Sequence, residues 1–465
     1  MSQASEPTDV LGPARRNPSR TSHLRAVSTG TVVGSGVRVL AVGAQSILSF
    51  ASAHILGASG TGELFLGTAV AWIAAVVARL GLDNVVLRHI AIHRSNGNRA
   101  GMLGVARLGA AVVFCSASAA TGIVFFLAPW IANDLFHAPG FTNGFRAVSF
   151  AIVPLALAFL MGEMLRGLER ILQSQVVQGV LIPIGTTVGV LLLGSSYGST
   201  GAAVAYVAGC TLAALVALVF WISATPELHG VKPEYDVRQM VRGARHQFPY
   251  HCLVMIMNWA PFVFLGIYAS TRETGVFGIA WRLSLFVGIV PLALDAIAAP
   301  RIAALHAAGE RSSLRWLSQT VTLALIAITL PVAATLAIFR GEVMSLFGAA
   351  FENGGVVLLP LVALRFLMTT MGPVNVTLIM TGHEKAIRNV LFIAAGFAVV
   401  GNAIFIRSHG AIGAAWASGG ALALGSCLAA ISVRRRLGFW PFPLSRTVVD
   451  DLLLFVRSGH YRSAR

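Results

Sequence analysis

Polar residues in this chain come as short punctuation between long apolar runs. One bilayer crossing takes about 20 mainly apolar residues. On that measure the pattern predicts twelve crossings, at roughly 31–55, 65–80, 103–127, 145–163, 175–194, 200–222, 248–269, 276–298, 314–339, 356–380, 389–406 and 411–432. The predicted fold class is therefore an all-α polytopic membrane protein with 12 transmembrane helices. The expected organisation is a disordered cytoplasmic tail at 1–30, a first six-helix bundle at 31–222, an amphipathic cytoplasmic linker at 223–247, a second six-helix bundle at 248–433 and a basic cytoplasmic tail at 434–465. The apolar run after residue 30 exceeds twenty residues, too long for a signal-peptide core, and reads as an uncleaved first span.

The connecting segments assign orientation. One alternate set holds Arg88, Arg94 and Arg99, then Arg166 and Arg170, Arg238 to Arg245, Arg301 to Arg315, Lys385 and Arg388, and Arg434 to Arg436. The other set holds little beyond Arg272, Arg340 and Arg407, beside Glu63, Asp134, Glu273, Glu342 and Glu352. Short arginine-rich loops stay in the cytoplasm, which places both termini there, as an even number of spans requires.

The pattern repeats. G-T-G-E-L-F-L-G at 60–67 has a counterpart in E-T-G-V-F-G-I-A at 273–280, so Gly62 aligns with Gly275. At nearly the same offset, Leu135-Phe136 recurs at Leu346-Phe347, and G-S-T-G-A-A from Gly198 recurs as G-A-I-G-A-A from Gly410. Three landmarks at nearly one spacing indicate two six-span halves. Six is even, so the halves have the same orientation and are related by an axis along the membrane normal.

Between the halves, Asp236 is placed to cap a short helix, with Gln239 three residues on. Val237, Met240, Val241 and Ala244 then share one face, with Arg238, Arg242 and Arg245 off it. That is the pattern of an interfacial helix on anionic lipid, or else of a solvated linker.

Charged residues make up 11% of the chain, against about 25% in a soluble domain. The net charge of +16 is spread between apolar runs rather than gathered in a basic stripe, which argues against nucleic acid as a partner. Nearly every cation is arginine, with Lys232 and Lys385 the exceptions, a bias suggesting a GC-rich bacterial genome. Cys115, Cys210, Cys252 and Cys427 lie singly in apolar segments and read as buried free thiols. The 48 glycines suit close helix packing. Walker, H-E-x-x-H and G-x-S-x-G motifs are missing, so no enzyme activity and no cofactor is expected.

Candidate chemistry lies in charges within apolar runs, because a charge at bilayer depth costs roughly 3 kcal/mol and commonly faces a cavity. Arg365 stands about nine residues into its run, roughly 14 Å deep, too far to reach the interface easily. It reads as an anion ligand, or as one member of a buried structural pair. Arg38 and Arg282 either face a cavity or extend to their nearer membrane face, and Arg79 either faces a cavity or pairs with Asp83. An excess of intramembrane arginine favours an anionic substrate, because the planar guanidinium binds phosphate through two parallel hydrogen bonds. Asp295 and Glu163 are candidates for a proton or sodium site, or for pairing with Arg301 and Arg166. His251, Asn258 and Trp259 are candidate cavity residues or packing groups. His89 and His93 have a metal-compatible spacing but read as a solvated face, so no metal site is expected.

The segments I-L-G-A-S-G-T-G-E-L-F at 55–65, G-L-D-N-V-V-L-R-H-I-A at 81–91, M-L-R-G-L-E-R-I at 164–171 and L-G-I-Y-A-S-T-R-E-T-G-V-F-G-I-A-W-R-L at 265–283 resemble the polysaccharide-transporter family. That family includes the O-antigen flippases and lies within the multidrug, oligosaccharidyl-lipid and polysaccharide exporter superfamily. The resemblance covers all twelve runs and implies two six-helix bundles in a V that open alternately to either side. It implies a cavity accepting the pyrophosphate-sugar head of a polyprenyl-linked glycan, with the polyprenyl tail left in lipid. Arg38, Arg282 and Arg365 would match a cationic cavity, although no family motif fixes them residue by residue. The expected function is a lipid-linked oligosaccharide flippase for surface polysaccharide or exopolysaccharide synthesis in the bacterial cytoplasmic membrane, with a proton or sodium gradient as the candidate coupling. Its expected partners are membrane lipid, the glycan substrate, and a polysaccharide polymerase or glycosyltransferases. The alternatives are a multidrug cation exporter of the same superfamily or another exopolysaccharide-associated membrane protein. A major facilitator transporter is disfavoured because its basic loop motif after the second span is missing.

Overall fold

The structure is a computed structural model that describes residues 20–442, excepting the side chains at 20–35, 38, 290, 292, 293 and 296. The expected tails at 1–19 and 443–465 lie outside the described residues, while residues 20–30 are already helical. Every regular element described is helical. In chain order these are α1 (Arg20–Ala78), α2 (Leu82–Ser95), α3 (Arg99–Trp130), α4 (Thr142–Ser149), α5 (Ile152–Gly167), α6 (Ile171–Gln175), α7 (Ile182–Ala224), α8 (Val237–Tyr268), α9 (Thr271–Ala307), α10 (Arg311–Ile338), α11 (Arg340–Ser345), α12 (Gly355–Thr370), α13 (Val374–Met380) and α14 (Glu384–Leu437).

Three helices exceed one crossing: α1, α7 and α14 have 59, 43 and 54 residues. Each breaks at one glycine in the left-handed region, Gly57 (φ 66°), Gly198 (φ 57°) and Gly410 (φ 53°), a conformation costly for any residue with a Cβ. In α7 and α14 the chain doubles back there. A Cβ on Gly185 would lie 2.9 Å from Gly209 Cα, and one on Gly401 would lie 3.3 Å from Ala417 Cβ. The junction of α8 and α9 completes the pattern. Ala269 is extended (φ −128°) and Ser270 caps α9, its hydroxyl accepting from Glu273 N at 3.2 Å. Position 57 stands to 269 as 198 stands to 410, at one and the same offset. The repeat legible in the sequence is thus a repeat of helix-to-helix junctions.

Seven of the described helices are long and apolar enough to cross a membrane, or eight if the bent pair α4 and α5 counts as one crossing. These three broken helices are among the seven. The predicted run 145–163 is bent by 44° between α4 and α5. Pro154 stands in the first turn of α5 and has no N–H to continue the α4 ladder. The predicted run 356–380 likewise stops at Thr370, and α13 starts after Gly372 (φ 75°) and Pro373.

Asp236 caps α8 as expected, accepting from Gln239 N at 2.9 Å. The linker helix is not a separate element. It is the first part of a continuous α8, with Met240 and Ala244 buried and Val237 and Val241 exposed. Met240 and Ala244 pack on the first half near Gly109 and Gly81, which holds this stretch in line with the span that follows.

The halves meet on α1 and α9. Gly62 and Gly275, equivalent in the repeat, pack backbone to backbone, and a Cβ on Gly62 would overlap the Thr271 carbonyl oxygen. One turn on, the Phe65 ring fills the hollow left by Gly278. Phe50 meets Phe347 edge to face at 6.0 Å in the same seam. These contacts close the arginine-poor end. At the arginine-rich end Gly81 lies against α8, where its Cβ would stand 2.6 Å from Phe248 N. Outward-facing side chains such as Phe126, Leu192 and Phe392 are 70–82% exposed, a surface suited to lipid rather than water.

Candidate functional site

A cavity of about 760 Å³ lies between the halves. Along α1, Phe65, Thr68, Trp72, Val76 and Arg79 line it at intervals of three and four residues, the spacing of one helix face. The opposite walls come from α5, α7, α8 and α9. Toward the arginine-poor end it stops below the Gly62–Gly275 seam. At the other end it reaches Asp83, Arg166, Gln178 and His251.

Three polar groups stand in this cavity. Arg79 pairs with Asp83 at 3.1 Å, the side chains being 7% and 9% exposed. Its guanidinium lies 5.0 Å over the Phe159 ring. His251 Nδ1 stands 3.9 Å from the same carboxylate, and its Nε2 is 3.4 Å from the Asn84 amide. This cluster joins the halves, because Asp83 belongs to the first and His251 to the second. In the second group Glu163 Oε1 accepts from Arg166 at 2.8 Å and from the Gln178 amide at 3.1 Å. Asp83 Oδ1 and Glu163 Oε2 are buried without a hydrogen-bond partner.

Arg282 forms the third group and differs in kind. Its Nη1 donates to Ser49 Oγ at 2.9 Å across the seam. With the Gln45 amide oxygen turned toward it, Gln45 accepts from Nη2 at 2.7 Å and from Nη1 at 3.0 Å. The guanidinium also lies 4.1 Å over the Phe65 ring. All these partners are neutral, and no ion pair to Arg282 occurs among the described residues. Neutral acceptors orient a guanidinium while leaving its charge uncompensated.

The remaining candidates are placed differently. Arg365 does not line the cavity. It is buried between apolar clusters, with Nε donating to Ser284 Oγ at 3.2 Å, its guanidinium 5.0 Å over the Trp281 ring and Nη2 without a partner. Trp281 itself lines the cavity, so Arg365 stands behind it. Position 38 shares a helix face with Ala41, Val42 and Gln45 of the cavity wall, but the Arg38 side chain lies outside the described residues. Asn258 is exposed to the cavity and donates to Val254 O at 2.8 Å. Asp295 lies outside the cavity, and its Oδ1 is buried with no partner. The pairing with Arg301 does not occur: six residues along a helix put two side chains on different faces. Glu163 and Arg166, three apart, do pair.

Two minor expectations change. His89 is buried rather than solvated. Burial first, then the neighbouring His93 and Arg88, holds its imidazole below the ordinary value. Cys115 is exposed on the outer surface, while the other three thiols are buried or half-buried. All four are free.

An aromatic ladder was not legible in the sequence. Phe159 meets Trp72 edge to face at 4.6 Å, Trp72 stacks on Trp259 at 5.8 Å and 26°, and Trp259 leans on Phe262 at 5.6 Å. Phe262 meets Phe65 and Phe277, and Phe277 meets Trp281. Arginines stand over three of these rings: Arg79 over Phe159, Arg282 over Phe65 and Arg365 over Trp281. The 3.6-residue period assigns Trp72 to a face of its own helix, but nothing local brings Trp259 opposite it.

No protein-family model matches the chain. It is 26% identical over 183 residues to a protein of Haloferax volcanii described as "Probable flippase AglR". That match covers 38% of this chain and 37% of the relative, so it spans well under half the relative's length. Over nearly the whole chain, the fold is similar to those of solved membrane transporters. A structure described as a lipid II flippase, MurJ, in an inward closed conformation superposes with a TM-score of 0.69 at 12% identity, covering 94% of each chain. An inward-facing multidrug resistance transporter of the MATE family superposes with a TM-score of 0.62 at 16% identity, covering 88% of this chain and 94% of that one.

Proposed function

We propose that this protein is a flippase that moves a polyprenyl-pyrophosphate-linked oligosaccharide across the bacterial cytoplasmic membrane for surface polysaccharide synthesis. The observation that carries this reading is Arg282, a guanidinium in the cavity wall oriented by Ser49, Gln45 and Phe65 with no carboxylate paired to it. A buried cation kept without a counter-charge suits a pyrophosphate that arrives, is transported and leaves. The similarity to a probable flippase and the superposition on a lipid II flippase support the same reading.

The cavity reaches the arginine-rich end and is closed at the other by the Gly62–Gly275 seam. With the arginine-rich loops in the cytoplasm, both termini are inside and this is a state open to, or last open to, the cytoplasm. The head group enters beside Arg79 and Asp83 and descends toward Arg282, while the polyprenyl tail stays in lipid. Spreading of the seam, with the existing Gly81–Phe248 contact kept closed, then exposes the head group to the far side. Glu163 and Asp295 each keep one buried carboxylate oxygen without a partner and are the groups proposed to couple transport to protons or sodium. A glycan polymerase and glycosyltransferases are the partners this role implies.

A second reading, a multidrug cation exporter, draws on one observation: the Asp83 and Glu163 carboxylates line the same cavity as the Trp72 and Phe159 rings. The deciding experiment is a mass-spectrometric survey of polyprenyl-linked glycans in a deletion strain, beside its surface polysaccharide and drug tolerance. Accumulated polyprenyl-pyrophosphate oligosaccharide with lost surface polymer, restored by the wild-type chain and not by Arg282→Gln, is the expected result. An unchanged lipid pool with lowered tolerance to cationic drugs would replace the flippase with the exporter.

A further inference from the structure

The cavity stripe on α1 has a chemical order. Phe65 and Arg79 are fourteen residues apart, roughly 21 Å along the helix, and Trp72 stands midway. At the Phe65 level lies the unpaired Arg282 guanidinium. The Arg79 level holds the Arg79–Asp83 pair, and Glu163 lines the cavity on the facing helix α5. Between a cation and a polar mouth, the cavity is lined by aromatic rings, and the central two come from opposite halves: Trp72 from the first and Trp259 from the second.

We propose that Trp72 and Trp259 form a stacking subsite for the pyranose rings of a lipid-linked oligosaccharide, with the pyrophosphate at Arg282 and the glycan running toward Arg79. This rests on the flippase reading above and assigns that cavity its sugar-recognising residues. A pyranose presents an apolar C–H face and a rim of hydroxyls. The face packs on the electron-rich face of an indole. The rim needs acceptors, and Asp83 Oδ1 and Glu163 Oε2 are buried acceptors without a donor. A flat organic cation would also stack on indole, but the uncompensated Arg282 opposes it electrostatically.

The spacing says how the subsite fills. The indole centroids are 5.8 Å apart. A ring held between them needs about 3.5–4.0 Å to each face, so the two indoles must part by about 2 Å. Because they belong to different halves, the rocking that opens the cavity also parts the stack. The two indoles touch each other here, and a bound sugar would take the place of that contact.

The test uses the full-length protein in lipid nanodiscs and two probes, a short-chain polyprenyl pyrophosphate and its N-acetylglucosaminyl derivative. The readout is the ratio of the two Kd values. In the wild type the sugar is expected to tighten binding about tenfold, the scale of one good aromatic contact. Trp72→Ala and Trp259→Ala should each bring the ratio close to one, while Trp72→Phe, which keeps an aromatic face, retains most of it. Arg282→Gln should weaken both probes and leave the ratio intact. A tenfold ratio that survives both alanine variants, or a wild-type ratio of one, overturns the sugar subsite while the flippase reading stands on Arg282. No effect of Arg282→Gln on either probe overturns the flippase reading itself. Tighter binding of ethidium than of the glycosylated probe, lost in the same tryptophan variants, reassigns the rings to a planar cation.

Discussion

Gly62 and Gly275 hold equivalent places in the two halves and touch each other: a Cβ on Gly62 would lie 2.9 Å from Gly275 N, and one on Gly275 would lie 3.1 Å from Gly62 N. The repeat therefore meets itself at the seam that closes the arginine-poor end. No rotamer relieves a Cβ pressed against backbone, so Gly62→Val is expected to hold that end apart. Phe347, 7% exposed and facing Phe50 in the seam, reports on it. In a background with the native cysteines replaced, Phe347→Cys should resist a membrane-impermeant maleimide and react once Gly62→Val is added. Equal labelling with and without Gly62→Val would remove the seam from the transport cycle.

The breaks at Gly198 and Gly410 share one backbone geometry but not one environment. A Cβ on Gly198 meets open space, whereas one on Gly410 would overlap the Glu273 carboxylate, which accepts from Ala411 N at 2.9 Å. Gly198→Ala should cost only the backbone strain of a positive φ, about 1–3 kcal/mol. Gly410→Ala should cost more, and Glu273→Ala should recover the excess in a double-mutant cycle of thermal stability in detergent. Equal costs at the two glycines would show that Glu273 yields freely.

Arg365 is 8% exposed and has no ion pair among the described residues. A buried charge with no counter-charge carries a desolvation cost that an apolar side chain of similar length removes. Arg365→Met is expected to raise the thermal midpoint while glycan export falls at least tenfold, the combination seen where a site carries strain for function. A lower midpoint with normal export would make Arg365 a structural anchor for Trp281.

Arg79 and Asp83 form a buried pair, and removing one partner strands the other. Asp83→Asn and Arg79→Met should each destabilise by about 3–5 kcal/mol, and the double variant by much less. Thermal unfolding of the three variants measures the coupling. Additive losses would mean that cavity water already screens the pair.

Features set within one helical turn, or by a recurring spacing, were legible in the sequence. The Asp236 cap, the Arg79–Asp83 and Glu163–Arg166 pairs and the recurring glycine junctions at Gly198 and Gly410 all appear at the positions their local chemistry demands. What crosses the molecule was not. Ser49 and Arg282 are 233 residues apart, and no periodicity announces that one accepts from the other. Depth along a helix also misled: Arg365 is deep, as its place in the apolar run indicated, yet its rotation about the helix axis puts it behind Trp281 rather than in the cavity. The stack of Trp72 on Trp259 is of the same kind, decided by how two helices face each other across the halves.

The seam also contains a deliberate mismatch. Phe65 fills the hollow at Gly278, and these two positions are equivalent in the repeat, at the same offset as Gly62 and Gly275. Two copies of the first half would bring two phenyl rings to one slot, and two copies of the second would leave that slot empty. Each half is therefore shaped for its opposite and against its own duplicate. Expressed as separate polypeptides, the halves should combine one to one and refuse self-association, with recognition written in a single ring and the hydrogen that receives it.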